Sequence, residues 1–132
     1  MRSRPWVILL WVLGILFPMA VLGRAWPAWG RIFDALFAPA WMHLVMHALL
    51  YAVLGFLLAQ WRRPDSPHRA ALLVALAFLV GVCQEAIQLV GAGIWPGWGP
   101  EILDLAVDLS GTGLGLLLAR LLTRGGPARE GH

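Results

Sequence analysis

Residues 40–61 read AWMHLVMHALLYAVLGFLLAQW, an apolar run long enough to cross a hydrocarbon core of about 30 Å, with His43, His47 and Tyr51 set into it. The length of the run predicts a membrane-spanning helix. The embedded side chains predict that one face of this helix does more than meet lipid, because a charged group at mid-membrane costs about 2.5–3.5 kcal/mol on insertion scales and seldom persists without a partner or a purpose.

Three more apolar runs lie on either side, at residues 5–22, 70–90 and 102–122, with breaks at Arg62-Arg63-Pro64-Asp65-Ser66-Pro67 and Gly97-Trp98-Gly99-Pro100. The chain of 132 residues is 60% hydrophobic and 13% charged, with a mean hydropathy of +0.75. A water-soluble domain could not cover so much apolar surface with so few charges, so lipid is the expected solvent. The expected fold is all-α: a polytopic membrane four-helix bundle in a single domain over residues 1–132, with a flexible tail at 125–132.

All ten basic residues are arginine, and their placement predicts orientation. With both termini cytoplasmic, that side carries Arg2, Arg4, Arg62, Arg63, Arg69, Arg120, Arg124 and Arg129, against Arg24 and Arg31 opposite. The expected arrangement is therefore several membrane crossings with both termini cytoplasmic. The net charge of +3 reports this topology; no folded basic face is visible to serve a nucleic acid. Met1-Arg2-Ser3-Arg4 before an apolar run also resembles the start of a signal peptide, but the run is long and no small-x-small site follows before Arg24. Cys83 is the sole cysteine, so no internal disulfide can form.

Between Arg24 and Pro39, Trp29, Ile32, Phe33, Leu36 and Phe37 recur at helical spacing with Arg31 and Asp34 opposite, which predicts a short helix lying in the interface. Trp26, Trp29, Trp41, Trp95 and Trp98 would anchor at the same headgroup level.

The alternating direction of the spans places the polar residues in one leaflet. Counted inward from the outer boundary at about 1.5 Å per residue, His43 and His47 fall roughly 4 and 10 Å deep, Asp104 and Asp108 roughly 3 and 9 Å, and Glu85 and Gln88 within roughly 8 Å. They also share faces: His43, His47, Tyr51 and Gly55 on one helix, Gly81, Glu85 and Gln88 on the next, and Asp104, Asp108, Gly111 and Gly115 on the last. The glycines are expected to mark close helix contacts and the polar groups to face a shared cavity. Gln84 falls on a different face from Glu85.

The chemistry open to such a cluster is of two kinds. His43 and His47, four residues apart, could join Glu85 and Asp104 in a mixed nitrogen and oxygen shell for a divalent metal such as zinc. Without metal, Glu85 is the expected central acid, Asp104 its partner carboxylate and His47 the imidazole, with Gln88, Tyr51, Asp108 and His43 as substrate contacts.

The pattern resembles the VanZ-like family of membrane proteins associated with teicoplanin resistance. The resemblance covers Trp41 to Leu118 and rests on His47, Tyr51 and Leu54-Gly55, on Gly81, Glu85 and Gln88, and on Asp104, Asp108, Gly111 and Gly115. It implies a multi-span bacterial inner (cytoplasmic) membrane protein of the cell envelope. Three features depart from it: the family's Asp-Lys pair is His43-Leu44 here, its asparagine is Asp108, and its arginine between the glutamine and the aspartate has no counterpart in residues 91–100. The carboxylates are kept and the cations lost, and a pairing of His43 with Asp108 is the expected compensation.

The expected function is handling of a lipid-linked or cell-wall precursor, or of a glycopeptide, at the outer leaflet, with the bilayer and a second copy of the chain as further partners. Two other readings stay open: buried polar groups that only hold the bundle together, and a proton-coupled transporter acting as an oligomer. Against transport stands the apolar inner half, with Leu57, Leu58, Leu72, Leu73, Leu76, Leu116, Leu117 and Leu118.

Overall fold

The computed structural model describes residues 4–17, 26, 28, 30–32, 35, 39–92 and 97–124. Its principal helices are α1 (Pro5–Leu16), α2 (Ala40–Trp61), α3 (Pro67–Ala92) and α4 (Trp98–Arg124). The architecture is an all-α bundle. Three of the helices, α2, α3 and α4, are long and apolar enough to cross a membrane.

Local sequence explains where each helix starts and stops. Pro5 opens α1 at a position whose N–H would have no helical partner. Phe17 closes it with φ −73° and ψ 120°, the extended geometry that a following proline, Pro18, imposes on the residue before it. The expected span at 5–22 is thus helical over 12 residues, about 18 Å at 1.5 Å per residue and short of a full crossing; residues 18–25 lie outside the described part. Ser66 caps α3 by accepting a hydrogen bond from the Arg69 N–H at 3.3 Å, and Pro67 follows as the first helical residue. Before α4, Gly97 holds φ at +99°, a conformation that glycine alone adopts readily.

The expected break at Gly97-Trp98-Gly99-Pro100 is only partly a break, because α4 begins at Trp98. Pro100 sits in the first turn, where backbone N–H groups have no acceptor within the helix, so proline removes nothing there. The expected interfacial helix leaves only a trace among the described residues: 30–32 are helical, and the Gly30 N–H bonds to the Trp26 carbonyl at 3.0 Å. Trp29, Phe33, Asp34, Leu36, Phe37, Trp95 and the tail beyond Arg124 lie outside them.

The heart of the bundle is the contact of α2 with α4, the most extensive in the molecule. These two helices run parallel in a fixed register, so that His43 meets Asp104 and His47 meets Asp108, both pairs separated by 61 in sequence. Glycines set their closeness. A methyl added at Gly55 would strike the Thr112 carbonyl oxygen; at Gly111, that of Ala48; at Gly115, that of Ala52. In lipid, where apolar side chains gain nothing by leaving the solvent, such backbone approach is the main source of helix adhesion.

α1 and α4 each pack on α2 and α3 and do not meet one another among the described residues. The Trp11 indole N–H donates to the Leu50 carbonyl at 3.0 Å and ties α1 to α2. Leu54, Leu58 and Ala59 of α2, Leu73 and Ala77 of α3, and Leu116 and Ala119 of α4 fill the centre. Outward faces carry Leu49, Leu72, Leu76, Leu79, Leu114, Leu117, Leu118, Leu121 and Leu122, all exposed. An apolar rim around a partly polar interior is the pattern that suits a lipid solvent.

Candidate functional site

Three helices bring their ionisable residues to the same end of the bundle: the first two turns of α2, the last turns of α3 and the first turns of α4. His47 is 3% exposed, Glu85 6%, Asp104 9% and Asp108 2%. For such groups, partners decide whether burial is tolerable.

The partnering follows the parallel register. His47 Nδ1 lies 2.9 Å from Asp108 Oδ1, fully enclosed. One turn nearer the end, His43 Nε2 lies 3.3 Å from Asp104 Oδ2, with the His43 side chain 44% exposed. The rings of His43 and His47 stand 4.4 Å apart, tilted by 48°. The expected pairing of His43 with Asp108 is therefore replaced by two rungs. Both helices run the same way and both step by four residues, so upper meets upper and lower meets lower.

Tyr51, wholly buried one turn below His47, donates its hydroxyl proton to Gln84 Oε1 at 3.0 Å. Gly81 leaves the space: a Cβ there would stand 3.1 Å from Asp108 Oδ2 and 3.4 Å from the Tyr51 hydroxyl. A phenol has one proton to give, and here Gln84 receives it. Changing Tyr51 to Phe should cost about 1 kcal/mol by stranding the Gln84 carbonyl, read as a lowered unfolding temperature in detergent with the helical content unchanged.

Gln84, which contacts a neighbouring helix, is the glutamine that joins the site, and Gln88 is not. Gln84 is buried and bonded, whereas Gln88 is exposed. α3 runs antiparallel to α4, and Gln88, one turn beyond Glu85, lies toward the level where α4 begins and has little helix to face.

Glu101 is the residue that sequence reasoning missed. It sits in the first turn of α4, its side chain approaches that of Glu85, and Glu101 Oε2, Glu85 Oε1 and Asp108 Oδ2 are all buried without a hydrogen-bond donor among the described residues. The signal was available: an acidic residue just after a proline marks a helix start.

Metal-binding geometry divides the residues differently from the expected set of His43, His47, Glu85 and Asp104. Among the described residues, ligand atoms within 4.8 Å of one another form two trios, His43 with His47 and Asp104, and His47 with Glu85 and Asp108. His47 is common to both. No arginine of the described part is ion-paired with this cluster; Arg69 pairs with Asp65 and Arg120 bonds to the Pro64 carbonyl, both at the opposite end.

Comparison with protein-family models, curated proteins and solved structures found no match to this chain.

Proposed function

We propose that this chain is a bacterial inner-membrane protein of the VanZ-like type, with its carboxylate and imidazole cluster at the outer leaflet, where it takes a cationic group of a lipid-linked or cell-wall precursor. The observation that carries this reading is the excess of carboxylates. Glu85, Glu101, Asp104 and Asp108 converge with two imidazoles and no paired arginine among the described residues, and three of their oxygens are buried without donors there. Such a site favours a positively charged ligand and disfavours a phosphate.

The opposite end of the bundle has a separate cleft lined by Gln60, Arg63, Asp65, Ser66, Arg120 and Thr123. Leu54, Leu58, Leu73, Ala77 and Leu116 fill the space between. A polar cluster with packed apolar side chains below it suits recognition from one side better than conduction through the bundle. Purely structural polar contacts account for the two His–Asp rungs and, with a shared proton, for Glu85 beside Glu101, but not for the buried Asp108 Oδ2.

The test is binding of a purified lipid-linked cell-wall precursor to the full chain in phospholipid nanodiscs. Wild type is expected to bind, and Glu85→Gln to lose about tenfold or more, equivalent to about 1.4 kcal/mol. Equal binding by both proteins, with the variant folded, would reject the reading. Cysteine labelling from either side of intact cells checks the orientation: Cys introduced beside Arg63 should react only from the cytoplasmic side.

A further inference from the structure

Of the two trios, His47, Glu85 and Asp108 stand apart because all three are buried and two of their oxygens have nothing to accept from among the described residues. His43 and Asp104 already satisfy each other at 3.3 Å, and His43 is half open to its surroundings. By contrast, Glu85 Oε1 and Asp108 Oδ2 are shielded and donorless. His47 Nδ1 is engaged with Asp108 Oδ1, which fixes the ring's orientation. Those two atoms already stand about as close as two ligands of one ion, so exchanging the proton between them for a metal needs little movement there.

The geometry points to a divalent transition-metal site formed by one ring nitrogen of His47 and one carboxylate oxygen each of Glu85 and Asp108. Their ligand atoms lie within 4.8 Å of one another. Tetrahedral ligands about 2.0–2.2 Å from a zinc ion stand about 3.3–3.6 Å apart, so side-chain rotations of up to about 1.5 Å close the shell.

Charge supports the same conclusion. With His47 neutral, as a metal ligand must be, four carboxylates face at most the one cation that His43 can carry, and no paired arginine of the described part makes up the difference. A dication at this point would cancel most of the remaining negative charge and give the carboxylates of Glu85 and Asp108 a partner. The ligand chemistry selects its class: calcium and magnesium favour shells built from oxygen, whereas one nitrogen and two carboxylate oxygens suit zinc, and three protein ligands leave a fourth position open. Gly81 keeps the neighbourhood uncrowded, since a Cβ there would press on Leu105 and Asp108 at 3.0 and 3.1 Å. The inference uses the same cluster as the function proposed above but does not need its substrate.

The experiment is zinc binding by the full chain, purified in detergent with a tag that contains no histidine, stripped with a chelator and dialysed against zinc chloride. One zinc per chain is expected by elemental analysis. Glu85→Gln and Asp108→Asn, nearly isosteric changes, should each weaken binding by more than about tenfold, with helical content unchanged by circular dichroism. His43→Ala should keep its zinc. Cobalt(II) added to wild type should give the visible ligand-field absorption of a low-coordinate site with nitrogen and oxygen ligands, a readout that does not depend on any variant folding.

Failure of folded wild type to take up stoichiometric zinc, or the absence of that cobalt spectrum, would overturn the site in favour of protons shared among Glu85, Glu101, Asp108 and Tyr51. Undiminished zinc in folded Glu85→Gln and Asp108→Asn, or its loss in His43→Ala, would overturn the ligand set. Zinc binding without precursor binding would retire only the substrate reading; precursor binding without zinc would retire only this one.

Discussion

Gly115→Val should destabilise the bundle by about 3 kcal/mol, at the upper end of what overpacking usually costs. At this position a Cβ meets main chain: the Ala52 carbonyl oxygen and the Phe56 amide nitrogen, the latter at 2.7 Å. Main chain within a helix cannot rotate aside as a side chain can, so α2 and α4 would have to separate. The two His–Asp rungs on the same interface would separate with them. Gly113, two residues away on the opposite side of α4, has open space around it, with nothing within 4 Å of where a methyl would stand. Gly113→Ala should therefore be neutral or stabilising by up to about 1 kcal/mol, through helix propensity alone. Reversible unfolding in mixed detergent micelles reads both; equal effects from the two changes would show that close backbone approach does not hold α2 to α4.

A second large effect is expected at the buried rung. His47→Ala removes the hydrogen-bond partner that Asp108 Oδ1 has among the described residues, leaving both oxygens of that carboxyl unsatisfied. In a water-soluble core, breaking such a pair costs about 3–5 kcal/mol. In a membrane the loss should be nearer about 1–2 kcal/mol, because a stranded carboxyl there can bind a proton and the unfolded helices find other partners. His43→Ala, acting on a longer contact at a half-exposed side chain, should cost under about 0.5 kcal/mol. Double-mutant cycles isolate the coupling within each pair. A coupling for His43 and Asp104 as large as that for His47 and Asp108 would show that burial does not set the strength of these rungs.

Much of this was open to reading from composition and spacing. Run lengths gave the apolar helices, and steps of four gave the faces that carry His43, His47, Asp104 and Asp108. Gly55, Gly81, Gly111 and Gly115 do lie where chains come close. The pairing was equally accessible but needed one more step: parallel helices keep a constant offset, and 61 residues separate both His–Asp pairs.

The failures share a cause. Helical spacing tells which face a residue occupies, not whether another helix stands at that level. Gln88 shares a stripe with Gly81 yet emerges near the end of the bundle, while Gln84 lies deep enough to reach Tyr51. Glu101 was passed over because Pro100 looked like a loop residue, although proline is harmless in a first turn. A longer α4 is what brings that carboxyl to Glu85.

The parallel pairing of α2 with α4 also sets an order of assembly. The strongest interface joins the second of these helices to the last, so α3 must be threaded before it can close, a long-range contact of the kind that slows folding. During synthesis, His43 and His47 emerge ahead of Asp104 and Asp108, the aspartates that pair with them. Until α4 leaves the ribosome, the two imidazoles of the nascent chain lack the carboxylates that the finished bundle gives them.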